Sequence, residues 1–480
     1  MKKRLCITAI SLAVILPVVP IFSSGCSCLQ QACQPYGPRV ASDGTGAAIA
    51  VYEDIKSGNQ HEFYAQKISP GGEPLWGEKG VLIGSVYKEC DSYFNHYIVE
   101  DTTGGAFVVW SGYPSEPDWK QPPGRRVAEY FTHVTRVDSN GDVVWQREVM
   151  DVDHMISDGT GGVLIASDES YEEGTLSVTR LDSDGNFPWG EEGVSIRCVG
   201  YSSHTLGLAS DGKEGAIILW QERKGDPSER VSQILAQKIG AEGSLVWKQE
   251  GIPLYTTPEG VYSEEPKVIS DGFGGAIAVW MQVPEGKVES GTPKALTMDL
   301  YVQRVDADGN IIWQPNGLPL EISKAAEGAV PHTPLLVTDG SGGAIVAWED
   351  LRNGLASIYA QRIDADGHFR WQLGGEKVCY IETNQSFWPR LAVSDSQGGA
   401  IITYGNCAQK IDADGRTMWP SGGIMFAGGD THDLACDGHD GAIIAWGSGK
   451  SMFSSEKSYV QRVSAEGKLL WGEKSIRLNP

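Results

Sequence analysis

The chain has 480 residues, 41% hydrophobic and 21% charged, which suits several domains or one large repeat array. Its formal charge of −23 repels phosphate backbones and anionic membranes, which argues against nucleic acid as a partner. Sixty glycines and 15 tryptophans, without long apolar helical stripes, point instead to many short strands joined by tight turns.

In chain order, residues 1–25 come first and read as an export signal. "MKKR" is a basic head, and the apolar run that follows is interrupted by Pro17 and Pro20, which suits a cleaved signal better than a membrane-spanning helix. The run ends in Ser24-Gly25-Cys26, which resembles the lipobox of bacterial lipoproteins. That resemblance implies lipid attachment at Cys26, although Ser23 stands where a lipobox usually has leucine. Residues 26–37, "CSCLQQACQPYG", read as a tether. Nine cysteines are present; with Cys6 in the signal and Cys26 lipidated, an odd number is left, so at least one thiol is free or pairs between chains. Cys28 and Cys33 are near enough to bridge in the tether. Cys407 and Cys436, in neighbouring repeat units, are a second candidate pair.

From residue 38 to 480 two signatures alternate, eight times each. The first, "SDGxGGAIxxW", is led by Asp43, Asp101, Asp158, Asp211, Asp271, Asp339, Asp395 and Asp437. The second, "YAQRIDADGxxxW", ends at Trp76, Trp145, Trp189, Trp247, Trp313, Trp371, Trp419 and Trp471. Within one unit "PLLVT" reads as a first strand, and an Asp-Gly turn leads to "GGAIVAW" as a second. "SIYAQRID" has the period-two alternation of a third, and "HFRWQ" is expected as a fourth, with its tryptophan packed between units. Four antiparallel strands recurring about every 56 residues describe an all-β, eight-bladed β-propeller. The first unit starts with an innermost strand and the last ends with an outermost one, so ring closure needs no strand exchange between the termini.

The "DADG" turn, as in Asp364 to Gly367, has two readings. Paired aspartates before glycine resemble the start of an EF-hand loop, but the further oxygen ligands and distant glutamate do not follow. A turn closed by aspartate accepting backbone N–H groups, with glycine at positive φ, explains the pattern without metal. "LDSDGNFPW", "VDADGNIIW" and "IDADGHFRW" look like the tryptophan docking motif of eight-bladed quinoprotein propellers and their non-catalytic relatives, with one residue fewer between aspartate and glycine. The Asp-box of sialidase-like propellers is also similar, with different glycine-to-aromatic spacing. Either resemblance implies a propeller with a site at the channel mouth. Arg304, Arg362 and Arg462 recur with the third strand and are expected to be structural.

Candidate site residues lie where second-to-third and fourth-to-first connections emerge, because function is grafted onto such loops. The blade-two connection, Ser111 to Phe131, carries Trp119, Arg125 and Arg126, suited to a sugar, a carboxylate or a protein partner. The blade-five connection, Gln282 to Leu300, is also long, and blade seven has only "YGNC". His96, His154, His204, His332 and His432 precede the leading aspartates of their units, and of these His96, His332 and His432 are taken as ligand candidates. Trp388 stands outside the eight-fold pattern at the entrance to blade seven. Any metal site is left open.

No nucleophile elbow, zinc-protease helix or phosphate loop is present. The expectation is a non-catalytic, exported propeller that acts as a binding or protein-interaction scaffold at the cell envelope. It would be monomeric, need no cofactor, touch the membrane only through its lipid, and have an envelope protein or glycan as partner. The alternatives are a quinoprotein-like or sialidase-like enzyme, or a polysaccharide-binding adhesin. By architecture, the propeller lipoprotein of the outer-membrane assembly machinery looks like the nearest functional analogue.

Overall fold

The computed structural model describes residues 37–56, 59–87, 96–115, 130–150, 152–168, 174–198, 201–224, 231–258, 261–284, 299–320, 334–350, 357–380, 389–426, 429, 431–448 and 457–479. These form eight sheets, each of four consecutive antiparallel strands in chain order. The innermost strands are Arg39–Ser42, Tyr97–Glu100, His154–Ser157, Tyr201–Ser210, Val261–Ser270, Leu335–Thr338, Pro389–Ser394 and Thr431–Cys436. Each lies against the next, and the last lies against the first, so the ring is closed. Blade seven, the shortest unit, is complete: its outer three strands are Ala400–Tyr404, Cys407–Ile411 and Ile424–Met425.

There is no single core. Eight apolar clusters each join two neighbouring blades, the last combining Val40, Ala48 and Tyr52 of blade one with Ile443, Val460 and Trp471 of blade eight. Both faces of every sheet are therefore buried, which explains why the second strands are nearly continuous apolar runs such as "AIVAWED". Among the described residues no helix is long and apolar enough to cross a membrane.

The repeated residues now have roles. Asp339 is 2% exposed; its Oδ1 accepts the N–H groups of Ser341 and Gly343 at 2.8 Å each. Its Oδ2 accepts from Nε and Nη2 of Arg362 on the third strand, at 3.1 and 3.0 Å. All eight leading aspartates are paired in this way with a third-strand cation: Lys67, Arg136, Arg180, Lys238, Arg304, Arg362, Lys410 or Arg462. The expected structural role of these arginines holds, and it extends to lysines in blades one, four and seven.

The second signature ties blade to blade. Every repeat tryptophan donates its indole N–H to a backbone carbonyl on the third-to-fourth turn of the next blade, at distances between 2.8 Å for Trp145 to Ser183 and 3.3 Å for Trp76 to Ser139. Trp471 closes the circle by donating to Pro70 of blade one at 3.1 Å. The turn glycine is required twice over. Gly367 has a φ of 87°, and a Cβ placed there would come within 2.8 Å of the Trp313 ring.

One expectation is corrected. "HFRWQ" is not the fourth strand; in blade six that strand is Glu376–Tyr380, and Trp371 precedes it. Arg370 donates back to the Arg362 carbonyl at 2.8 Å, so the segment folds tightly onto the third strand before the outer one begins. Only in blade two does the outer strand, Val143–Val149, include the tryptophan. Six blades add a glutamine clasp. Gln361 accepts the Trp371 N–H at 3.1 Å and donates to the Gln372 carbonyl at 2.8 Å, holding the backbone out of the sheet ladder. Gln66, Gln237, Gln303, Gln409 and Gln461 do the same in their blades.

Two substitutions measure these ties by urea unfolding. Trp471→Phe keeps most of the packing and removes the closing hydrogen bond, at an expected cost of about 1 kcal/mol; a Phe variant as stable as the parent would show that bond to be dispensable. Asp339→Asn leaves the half-buried Arg362 without its counter-charge and should cost on the order of 2 kcal/mol.

Candidate functional site

First-to-second and third-to-fourth turns share one face of the ring, and the repeated aspartates, glycines and tryptophans are concentrated there. The opposite face carries the unequal connections. Trp119, Arg125, Arg126, His332 and Trp388 fall in those connections and lie outside the described residues, as does Cys26. The Cys28–Cys33 pairing lies outside them too.

Of the remaining candidates, His96 sits in the wall between blades one and two, 1% exposed, with its ring 5.8 Å from that of Phe63. His432 is half-buried in the innermost strand of blade eight, and its carbonyl accepts from Arg39 Nη1 at 2.9 Å. The two histidines belong to blades on either side of blade one. His154, at the head of its strand, does line the channel. Cys407 and Cys436 are both free thiols, not a disulfide. Cys436 ends an innermost strand, whereas Cys407 begins a third strand in another apolar cluster, together with Cys379.

The central channel is lined by the innermost strands, and the described residues enclose two cavities in it. The larger, about 640 Å³, is walled by apolar residues such as Val40, Ile98, Met155 and Leu434 alongside polar ones, with three carboxylates, Asp43, Glu100 and Asp433. The smaller, about 310 Å³, is lined by Leu335, Leu391 and Val268, with His154 and Lys267 as its charged or titratable groups. Burial pushes the Asp433 carboxyl above its ordinary range, against the opposing pull of Arg39 and of two backbone N–H groups. Those N–H groups belong to Val40, at 2.8 Å, and Leu434, at 2.9 Å. Glu100, exposed at the channel wall, is raised by desolvation from the strands around it, and neighbouring Asp101 raises it further. A raised carboxyl suits a general acid, but any carboxyl confined among strand edges acquires one. Asp433 is occupied in joining the last blade to the first. The Cys436 thiol is raised by burial and so is poorly ionised at neutral pH, which makes it a weak nucleophile.

The metal question can be answered at the turn that raised it. Ligand atoms of Asp364, Asp366 and His368 lie within 4.8 Å of one another on the surface. Asp364 Oδ1, however, already accepts the N–H groups of Asp366 and His368 at 3.0 and 2.9 Å, and Arg370 lies 3.7 Å from Oδ2. Hydrogen bonding within the turn accounts for the arrangement.

No protein-family profile matches the chain, and no curated protein matches it. Similarity is found to solved structures. An ulvan lyase from a new polysaccharide lyase family is 10% identical over 92% of this chain and 96% of its own, with a TM-score of 0.47. The hydrazine synthase of Kuenenia stuttgartiensis is 11% identical over 84% of this chain and 99% of its own, with a TM-score of 0.43. A eukaryotic initiation factor is 9% identical over 93% and 89%, also with a TM-score of 0.43. At these values the likenesses carry no argument about function; the propeller rests on the chain's own eight sheets.

The buried aspartates set a pH dependence. Burial raises Asp101, but the N–H groups of Thr103 and Gly105 and the Arg136 guanidinium outweigh it and hold the carboxyl below the usual range. Asp43 and Asp158 are lowered by the same balance. A depressed folded pKa contributes stability that is present above the unfolded value, about 3.9, and is lost as pH falls through the folded one. Thermal unfolding should therefore be nearly flat from neutral pH to about 5 and fall steeply below about 4. Asp101→Asn should be less stable at neutral pH and lose less on acidification; an unchanged acid limb would sink this account.

Proposed function

We propose that the chain is an exported, lipid-anchored propeller that binds a partner protein at the cell envelope and catalyses no reaction of its own. The observation that carries this reading is the division of labour between the two faces. Every leading aspartate, third-strand cation and repeat tryptophan among the described residues is engaged in closing turns or joining blades. What varies from blade to blade is the set of connections on the other face, above all the segment bearing Trp119, Arg125 and Arg126. An aromatic beside two arginines suits a protein contact, because such side chains give large contact area and bidentate pairing at modest entropic cost. In the sequence, His332 and Trp388 also fall in connections that precede innermost strands. The channel carboxylates support the non-catalytic part of the reading, since Asp433 joins the last blade to the first, Asp43 is a repeat aspartate and Glu100 borders another.

Site-specific photo-crosslinking in intact cells tests the reading. A cross-linker at position 119 should give one discrete protein adduct, and one at position 75, on the architectural rim, should give none. Equal adducts from both positions, or none from 119, would overturn it. For the anchor, Cys26→Ser should abolish palmitate labelling and release the protein into the soluble fraction; a variant still labelled and membrane-bound would exclude lipidation at Cys26.

A further inference from the structure

Outside the central channel, blades four and five enclose a groove of about 400 Å³. Tyr255, on the outer strand of blade four, stacks on Trp280 of the second strand of blade five, with centroids 5.4 Å apart and an interplanar angle of 28°. It also stacks on Tyr301 of the third strand, at 6.2 Å and 18°. Tyr301 is only half-buried and lines the groove with Tyr255. Three amide side chains complete the wall: Gln282, Gln314 and Asn316. Gln314 spends one N–H on the Gly317 carbonyl at 2.9 Å, and Asn316 is held at a φ of 68° on the turn before the outer strand.

Blade five departs from its neighbours at this place. In blades four and six the second-strand tryptophan gives its indole N–H to a carboxylate two residues on: Trp220 to Glu222 at 3.1 Å and Trp348 to Asp350 at 3.4 Å. In blade five that position is Gln282, which lines the groove and engages the Tyr255 hydroxyl. The Trp280 Nε1 is fully buried and has no acceptor among the described residues. Leaving such a donor unmatched is costly, so a buried polar group of this kind calls for an explanation. Among the described residues, no side chain lining the groove is charged. The chain as a whole carries −23, which disfavours polyanions near its surface.

We propose that this groove binds a neutral oligosaccharide. A pyranose ring presents C–H groups to an aromatic surface and hydroxyls at its edge. The half-buried Tyr301, backed by the buried Tyr255 stacked on it, offers the first partner, and the amides, each both donor and acceptor, offer the second. The inference does not depend on the protein-partner reading, and either can fail alone.

The test is titration of the full mature chain with cellopentaose, maltopentaose, xylopentaose and mannopentaose, with pentagalacturonate as the anionic control, followed by tryptophan fluorescence and calorimetry. At least one neutral pentasaccharide should bind, and pentagalacturonate should not. Gln282→Ala and Gln314→Ala should each weaken binding about tenfold, with thermal unfolding unchanged as the check on folding; Tyr301→Ala should abolish it. Failure of all four neutral sugars to bind, binding unaffected by Gln282→Ala, or equally tight binding of pentagalacturonate would each overturn the proposal.

Discussion

The ring depends on one carbonyl per blade, that of the second residue in the third-to-fourth turn. In blade six this is Ala365, which accepts Trp313 Nε1 at 3.1 Å and Arg304 Nη1 at 3.0 Å, both from blade five. Arg304 in turn holds Asp271, whose other oxygen closes the first-to-second turn of blade five. One turn of blade five and one turn of blade six are thus wired through one guanidinium. Ser183 accepts the same two donors from blade two, and Ala413 accepts them from blade six. Because a carbonyl has two lone pairs, it satisfies a neutral and a charged donor without leaving either buried group unpaired.

That constraint decides where function can be carried. A turn whose aspartate, glycine and carbonyl are all committed has little freedom to accept a ligand, and this holds at every blade around one face. The opposite connections meet no such demand, so they can lengthen in blades two and five and shrink to two residues in blade seven without disturbing the ring. The same logic explains the channel. Its wall is made of short innermost strands whose side chains mostly feed the interblade cores, leaving Asp43, Glu100 and Asp433 as its described carboxylates in the larger cavity.

Most of the architecture was legible because each element recurs eight times. Alternating signatures establish blade number, strand order and closure without exchange, and the recurrence of Arg304, Arg362 and Arg462 marks them as structural. The tryptophan was placed on the fourth strand because apolar residues beside it imitate strand alternation. What keeps it off the ladder is Gln361, a glutamine that looks like an ordinary polar position on a third strand. The sites were far less legible. Trp119, Arg125 and Arg126 stand out by composition, but nothing in a single unit says what they meet. The groove at Tyr255 and Trp280 joins two repeats, and its only sequence trace is a glutamine at 282 where blades four and six have a carboxylate.

The choice of lysine or arginine at the third-strand cation follows from the same wiring. Arg362 can grip one aspartate oxygen with two nitrogens and still reach the neighbouring turn carbonyl with a third. Lysine is a point charge on a flexible stem and cannot fork in this way. In blades one, four and seven it sits 3.3 to 3.4 Å from its aspartate. It then gives its other proton to a carbonyl of the first-to-second loop of the next blade: Gly104, Gly274 or Asp440, at 2.7 to 2.8 Å. The neighbour contact survives the substitution, but it moves from one turn to the other on the same face. The repeat therefore tolerates either cation because each has an acceptor within reach, and a neutral side chain there would strand a buried aspartate and loosen two blades at once.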